Sequence, residues 1–204
     1  MGLRSSTVSL TRYKVNGKFE GPVTDTVLKG LRSFCITDID EDDTEKSVGW
    51  TSWETPYQPD FSGSSFMLGT YMVFSMRIDK KTLPPKTVNK HYTLAMEKKL
   101  SEDGRAFLSA NEKKLLKESV VQLLNKRIPA TPNVYDIVWS YEDSRLWFFS
   151  NLKAANEELE SLFLKSFQLS LIRIFPYTGA YLLSDLTDPE KDMLATLTPT
   201  LFRK

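Results

Sequence analysis

The sequence predicts an α+β fold, a largely antiparallel sheet with amphipathic helices packed on it. Three observations predict it. Two apolar runs, Val134–Trp139 and Arg145–Phe149, flank the turn residues Glu142-Asp143-Ser144 and read as a β-hairpin. Two segments open with complete capping boxes, Ser109-Ala110-Asn111-Glu112 and Thr187-Asp188-Pro189-Glu190, where a hydroxyl takes an N3 amide and the glutamate reaches back. Strands and helices alternate unevenly, unlike the regular alternation that accompanies a parallel sheet. With 204 residues, 41% apolar and 26% charged, the chain can bury a real core. It reads as one unit over residues 1–204, or as two intimate subdomains, 1–83 and 84–204.

In chain order, Thr7 to Val15 alternates as a strand does, with Val8, Leu10 and Arg12 on one side. Gly17 and Gly21-Pro22 mark turns. Thr24 or Asp25 can cap a helix whose apolar face is Val27, Leu28, Leu31 and Phe34. Asp38 to Lys46 is an acidic loop. Val48-Gly49-Trp50 then starts an extended segment, where Pro56 and Pro59 bar a helix. Phe66 to Ile78 is one long strand or two joined at Gly69-Thr70.

Pro84-Pro85 suits the first turn of a helix with Val88, Tyr92, Ala95 and Met96 on one face, ended or bent at Asp103-Gly104. The helix after Ser109 points Leu116, Val120, Leu123 and Leu124 inward, and Pro129 and Pro132 stop it. Asn151 can cap a helix with Leu152, Ala155, Leu159, Leu162, Phe163 and Phe167 on its apolar face. Ser170 to Phe175 is a further strand, Pro176 to Asp185 a short turn or helix, and Thr187 opens the last helix.

Enzyme chemistry has little to build on. His91 is the single histidine and Cys35 the single cysteine, too few for the usual zinc sets or a disulfide framework. Neither a nucleophile elbow nor a glycine-rich phosphate loop is present. His91 reads as a surface or half-buried helix residue and Cys35 as a small buried hydrophobe. Asp38-Ile39-Asp40-Glu41-Asp42 begins like a calcium loop. It then places Asp43 where glycine is needed and Gly49 where the bidentate glutamate belongs. The expectation is a non-enzymatic protein with no catalytic residue, metal or cofactor. No apolar run reaches the length of a membrane span, and Arg4, Arg12 and Lys14 interrupt any leader-like segment. A cytoplasmic protein that does not enter a membrane is therefore expected.

Charge is segregated. Residues 1–35 hold six basic and two acidic side chains, residues 36–60 one basic and eight acidic, and residues 136–204 seven basic and ten acidic. Residues 76–127 hold thirteen Lys or Arg against six Asp or Glu, in a chain whose net charge is +1. A basic middle on two helices is what a phosphate backbone would need. Tryptophans also stack on bases in single-strand binders. Here Trp50, Trp139 and Trp147 stand in alternating, strand-like surroundings that predict core packing, and Trp53 is the one expected to stay partly exposed.

Several motifs follow one another in a recognisable order. They are Val48-Gly49-Trp50 after the acidic loop, Phe74 to Pro84 ending in Lys80-Lys81-Thr82-Leu83-Pro84, and Glu97-Lys98-Lys99. Leu108-Ser109 through Glu112-Lys113-Lys114-Leu115-Leu116-Lys117-Glu118 comes next, then Leu123-Leu124 with Pro129, Val138-Trp139, and Leu146 with Ser150. Across residues 47–175 the chain resembles the N-terminal two-thirds of the recombination-associated protein RdgC family, as a short form of it. The resemblance implies an RdgC-like α+β unit that binds duplex DNA without sequence preference in the nucleoid. It also implies a homodimer, recombinase-linked partner proteins, and a DNA-facing surface of Lys86, Lys90, Lys98, Lys99, Arg105, Lys113, Lys114 and Lys117. The alternative is a protein-interaction module that keeps the fold, with the acidic loop 38–45 as docking site. A metal-dependent nuclease comes third.

Overall fold

The computed structural model describes residues 2–62 and 65–198. The strands are β1 (Thr11–Asn16), β2 (Lys46–Thr51), β3 (Met67–Leu68), β4 (Tyr71–Lys80), β5 (Thr131–Ser140), β6 (Arg145–Phe148) and β7 (Ser170–Ile174). The helices are α1 (Val23–Ser33), α2 (Pro85–Asp103), α3 (Ala110–Asn125), α4 (Lys153–Phe167), α5 (Pro176–Leu183) and α6 (Asp188–Thr196). The strands form a single sheet in the order β2-β4-β5-β6-β1-β7, with β3 folded back on β4. Every ladder is antiparallel, so the fold is α+β as expected. Among the described residues no helix is long and apolar enough to cross a membrane.

One face of the sheet is the core. Alternation sends Tyr13, Val15, Trp50, Met72, Phe74, Met76, Ile137, Trp139, Leu146 and Phe148 to that face. There they meet Val27 and Leu31 of α1 and Ala155, Leu159, Leu162, Phe163 and Phe167 of α4. Trp50, Phe74, Trp139, Phe163 and Phe167 form a run of ring contacts with centroids 4.8–6.4 Å apart. Gly49 permits a close approach at the edge of this layer. Trp50 N–H donates to the Phe34 carbonyl and Ile36 N–H to the Trp50 carbonyl, so residues 34–36 run parallel beside β2. A Cβ on Gly49 would stand 2.5 Å from the Ile36 backbone.

Several local expectations change. The side of β1 that carries Arg12 faces away from the core, and Val8 and Leu10 precede the strand and are exposed. Neither Thr24 nor Asp25 caps α1: Pro22 stands at the N-cap, and Phe34 falls beyond the helix and is exposed. Leu152 rather than Asn151 precedes α4, and it points outward at 57% exposure. Leu123 is also exposed, while Leu116 is half-buried. Pro132 does not lie between elements but within β5. It is tolerated because β6 pairs only with Ile137–Ser140, leaving the first half of β5 without a neighbour on that side. Cys35 is half-buried against the core, where burial raises its thiol pKa.

The sheet takes strands from both sides of the residue 83/84 junction. The part that stands apart is α2–α3, inserted between β4 and β5 beyond the last ladder pair, Lys80 and Thr131. The pairing of Val88 with Val120 and Leu124 brings the start of α2 to the end of α3, an antiparallel helical hairpin with its own small apolar cluster.

Candidate nucleic-acid interface

The helical hairpin begins with Pro84 at the N-cap and Pro85 at N1, where a missing N–H loses nothing. Gly104, at φ 61°, closes α2 in the left-handed conformation open to glycine. The predicted capping box opens α3: Ser109 Oγ accepts the Glu112 N–H at 3.3 Å, and Glu112 Oε2 accepts the Ser109 N–H at 2.9 Å. The Ser109 amide and hydroxyl, with Arg105, hold the Glu112 carboxyl down at about 2 against its ordinary 4.5.

The basic residues that the resemblance assigns to DNA all lie on this hairpin, in unequal settings. Lys86 and Lys90 are exposed and one turn apart at the start of α2, four residues being one turn. Lys113, Lys114 and Lys117 are exposed over little more than one turn of α3. Lys114 and Lys117 line a shallow depression together with Glu118, Val121 and Gln122. Lys98 makes an exposed ion pair with Glu102 at 3.8 Å. Arg105 is exposed on the loop and bridges Asp103 at 2.5 Å and Glu112 at 3.0 Å, so its charge is shared locally. Lys99 sits at helical spacing from Val88, Tyr92 and Ala95, on the packed stripe, and is half-buried. Among the described residues, Lys86, Lys90, Lys99, Lys113, Lys114 and Lys117 enter no ion pair. His91 is half-buried on α2.

What joins the hairpin to the sheet is a residue that sequence reasoning counted only as one more cation. Lys81 is 5% exposed. Its ammonium donates to the Asn125 carbonyl at 2.6 Å, the Asp42 carbonyl at 2.6 Å and the Asp40 carbonyl at 3.1 Å. A cation at the C-terminal end of α3 is favoured by the helix dipole, and three carbonyls replace the water it gave up. The acidic loop closes the same junction: Asp40 Oδ1 accepts the Ala130 N–H at 2.7 Å, and the Glu45 carbonyl accepts the Lys81 N–H at 2.9 Å. The loop is thus the footing of the hairpin, with Asp38, Asp40, Glu41 and Asp42 around an open depression. Lys80, Lys126 and Arg127, adjoining Lys81 and Asn125 in sequence, are exposed. Their place in the 76–127 charge excess was the available signal.

Elsewhere, Arg77 is spent on Asp79 through two hydrogen bonds of 2.7 and 2.5 Å. Trp50 and Trp139 are fully buried and Trp53 lies half-buried under the Arg4 guanidinium, as expected. Trp147 is not a core residue: it is half-buried on the outer face of the sheet. Among the described residues, no three His, Cys, Asp or Glu side chains converge as metal ligands would. Compared with protein-family models and with curated proteins, the chain matches none.

Proposed function

We propose that this chain is a non-enzymatic, RdgC-like protein that binds duplex DNA without sequence preference through the α2–α3 hairpin. Its setting is DNA recombination in the bacterial nucleoid. The observation that carries the reading is the hairpin itself: a helical pair standing off the sheet, with six lysines outside any ion pair among the described residues, and Glu97 and Glu118 as the acids there not engaged by those residues. Such a surface offers phosphates charge and no base-specific geometry, which favours sequence-independent contact. The same hairpin exposes Leu94, Phe107, Leu115 and Leu123. These apolar side chains favour a second copy packing there, in keeping with the homodimer that the resemblance implies.

The test is anisotropy of a labelled duplex of about 30 base pairs at about 50 and 200 mM salt, with EDTA throughout. Affinity is expected to fall steeply with salt and equally across unrelated sequences, with log affinity dropping about 0.9 per phosphate contact per unit of log salt. Replacing Lys113, Lys114 and Lys117 together by Glu should abolish binding and leave the fold intact. Unchanged affinity in that variant would remove the assignment of this surface.

A second reading, a protein-interaction module docking through loop 38–45, draws on the acids around its open depression. It predicts no salt-sensitive DNA binding and a larger effect from neutralising Asp40, Asp42 and Asp43. A nuclease would cleave the duplex when EDTA is replaced by a divalent metal.

A further inference from the structure

The outer face of the sheet carries a second basic surface, separate from the hairpin. The β1–β6 register sets Arg12 directly beside Trp147 and Lys14 directly beside Arg145, and the β5–β6 register sets Val138 on the other flank of Trp147. Directly paired residues share a face, so three cations and an indole occupy two adjacent rows. Like charges placed directly opposite oppose strand pairing, and no carboxylate lines the groove they form with Trp147, Ile174 and Leu183. Among the described residues none of the three cations enters an ion pair. Among the described residues Lys14 donates only to the Leu182 carbonyl, at 3.4 Å.

Beyond Trp147 the surface turns apolar. Leu3, Leu10, Tyr71, Val138 and Phe149 line a shallow depression against the indole, and Tyr71, 40% exposed, meets Trp147 edge-on at 6.1 Å. Cations on one side of an open aromatic pair match a strand whose phosphates and unstacked bases run side by side. A duplex does not fit this chemistry, because its bases are stacked and cannot lie on a ring. Trp147 stands beside Val138, seven residues along β5 from the foot of the hairpin, or about 23 Å at strand rise.

We propose that this face binds single-stranded nucleic acid, with bases on Trp147 and Tyr71 and phosphates on Arg12, Lys14 and Arg145. The site is independent of the duplex-binding reading of the hairpin.

The experiment measures anisotropy of a labelled oligo-dT of about 20 nucleotides with the full chain, across a salt series. Arg12→Gln with Arg145→Gln, both exposed, should keep the melting temperature and reduce the salt slope by about 1.4, at about 0.7 per phosphate contact. Trp147→Leu should weaken oligo-dT at least about fivefold, the low end for losing one stacking ring. Duplex affinity should be unchanged in both variants. Should the tryptophan variant fail to fold, the arginine pair decides alone. Oligo-dT affinity and slope unchanged in the arginine pair would overturn the proposal. So would loss of oligo-dT binding only on changing Lys113, Lys114 and Lys117. Polyglutamate competing as well as oligo-dT at equal charge would assign the face to an acidic protein and also overturn it.

Discussion

The sheet body and the α2–α3 hairpin are built on different physics. The body buries a broad aromatic and aliphatic layer between the inner sheet face and two helices, and its cations Arg12, Lys14 and Arg145 lie on the outer sheet face. The hairpin buries little more than Val88, Val120 and Leu124, and is held by terminal chemistry: a buried lysine at one end and a capping box at the other. Burial scales with area, so the body can hold its shape unaided, whereas the hairpin depends on a few polar contacts of modest strength. In this fold the region that is cheapest to loosen is also the region that displays the lysines.

The largest expected effect lies in the body. Phe74, fully buried, meets both Trp50 and Phe167, and Phe74→Ala should cost about 3–5 kcal/mol. Calorimetry or denaturant melting should show the whole chain destabilised. If only the hairpin loosened, the division of labour would be wrong.

The next effect sharpens the contrast at the junction. Lys81→Met leaves the carbonyls of Asn125, Asp42 and Asp40 without their donor, at a cost of about 1–3 kcal/mol. Hydrogen exchange should accelerate across residues 85–125 while amides of β4 and β5 stay protected. Uniform acceleration would mean that Lys81 supports the whole fold.

The smallest effect is at the far end of the hairpin. Ser109→Ala should cost about 1 kcal/mol and fray the start of α3. Because the Glu112 carboxyl is depressed from 4.5 to about 2, its contribution is present above 4.5 and is lost as pH falls towards about 2. Circular dichroism over that interval should show a loss of helix that Glu112→Gln lacks.

Much of the fold was legible because its signals are local. The β5–β6 hairpin, the Ser109 and Thr187 boxes, the Gly69-Thr70 turn between β3 and β4, and the Gly104 stop each depend on a few neighbouring residues. What escaped depends on distant partners. Leu146 and Trp147 are both apolar, so alternation alone does not say which faces the core. The pairing of Trp139 with Leu146 and Val138 with Trp147 decides it. A lysine in a basic run reads as solvated, and only the return of Asn125 and the acidic loop to the end of β4 makes Lys81 a buried anchor. Arg105, which the resemblance assigns to DNA, pairs with Asp103 and Glu112 in space.

On the proposed function, the hairpin lysines meet phosphates while the sheet serves as their scaffold. The most direct measurement is the salt dependence of duplex affinity for the wild-type chain and for a variant with Lys113, Lys114 and Lys117 all changed to Gln. The account predicts a log–log slope shallower in the variant by about 2.7, three contacts at about 0.9 each, with an unchanged melting temperature. Equal slopes for the two proteins would contradict it.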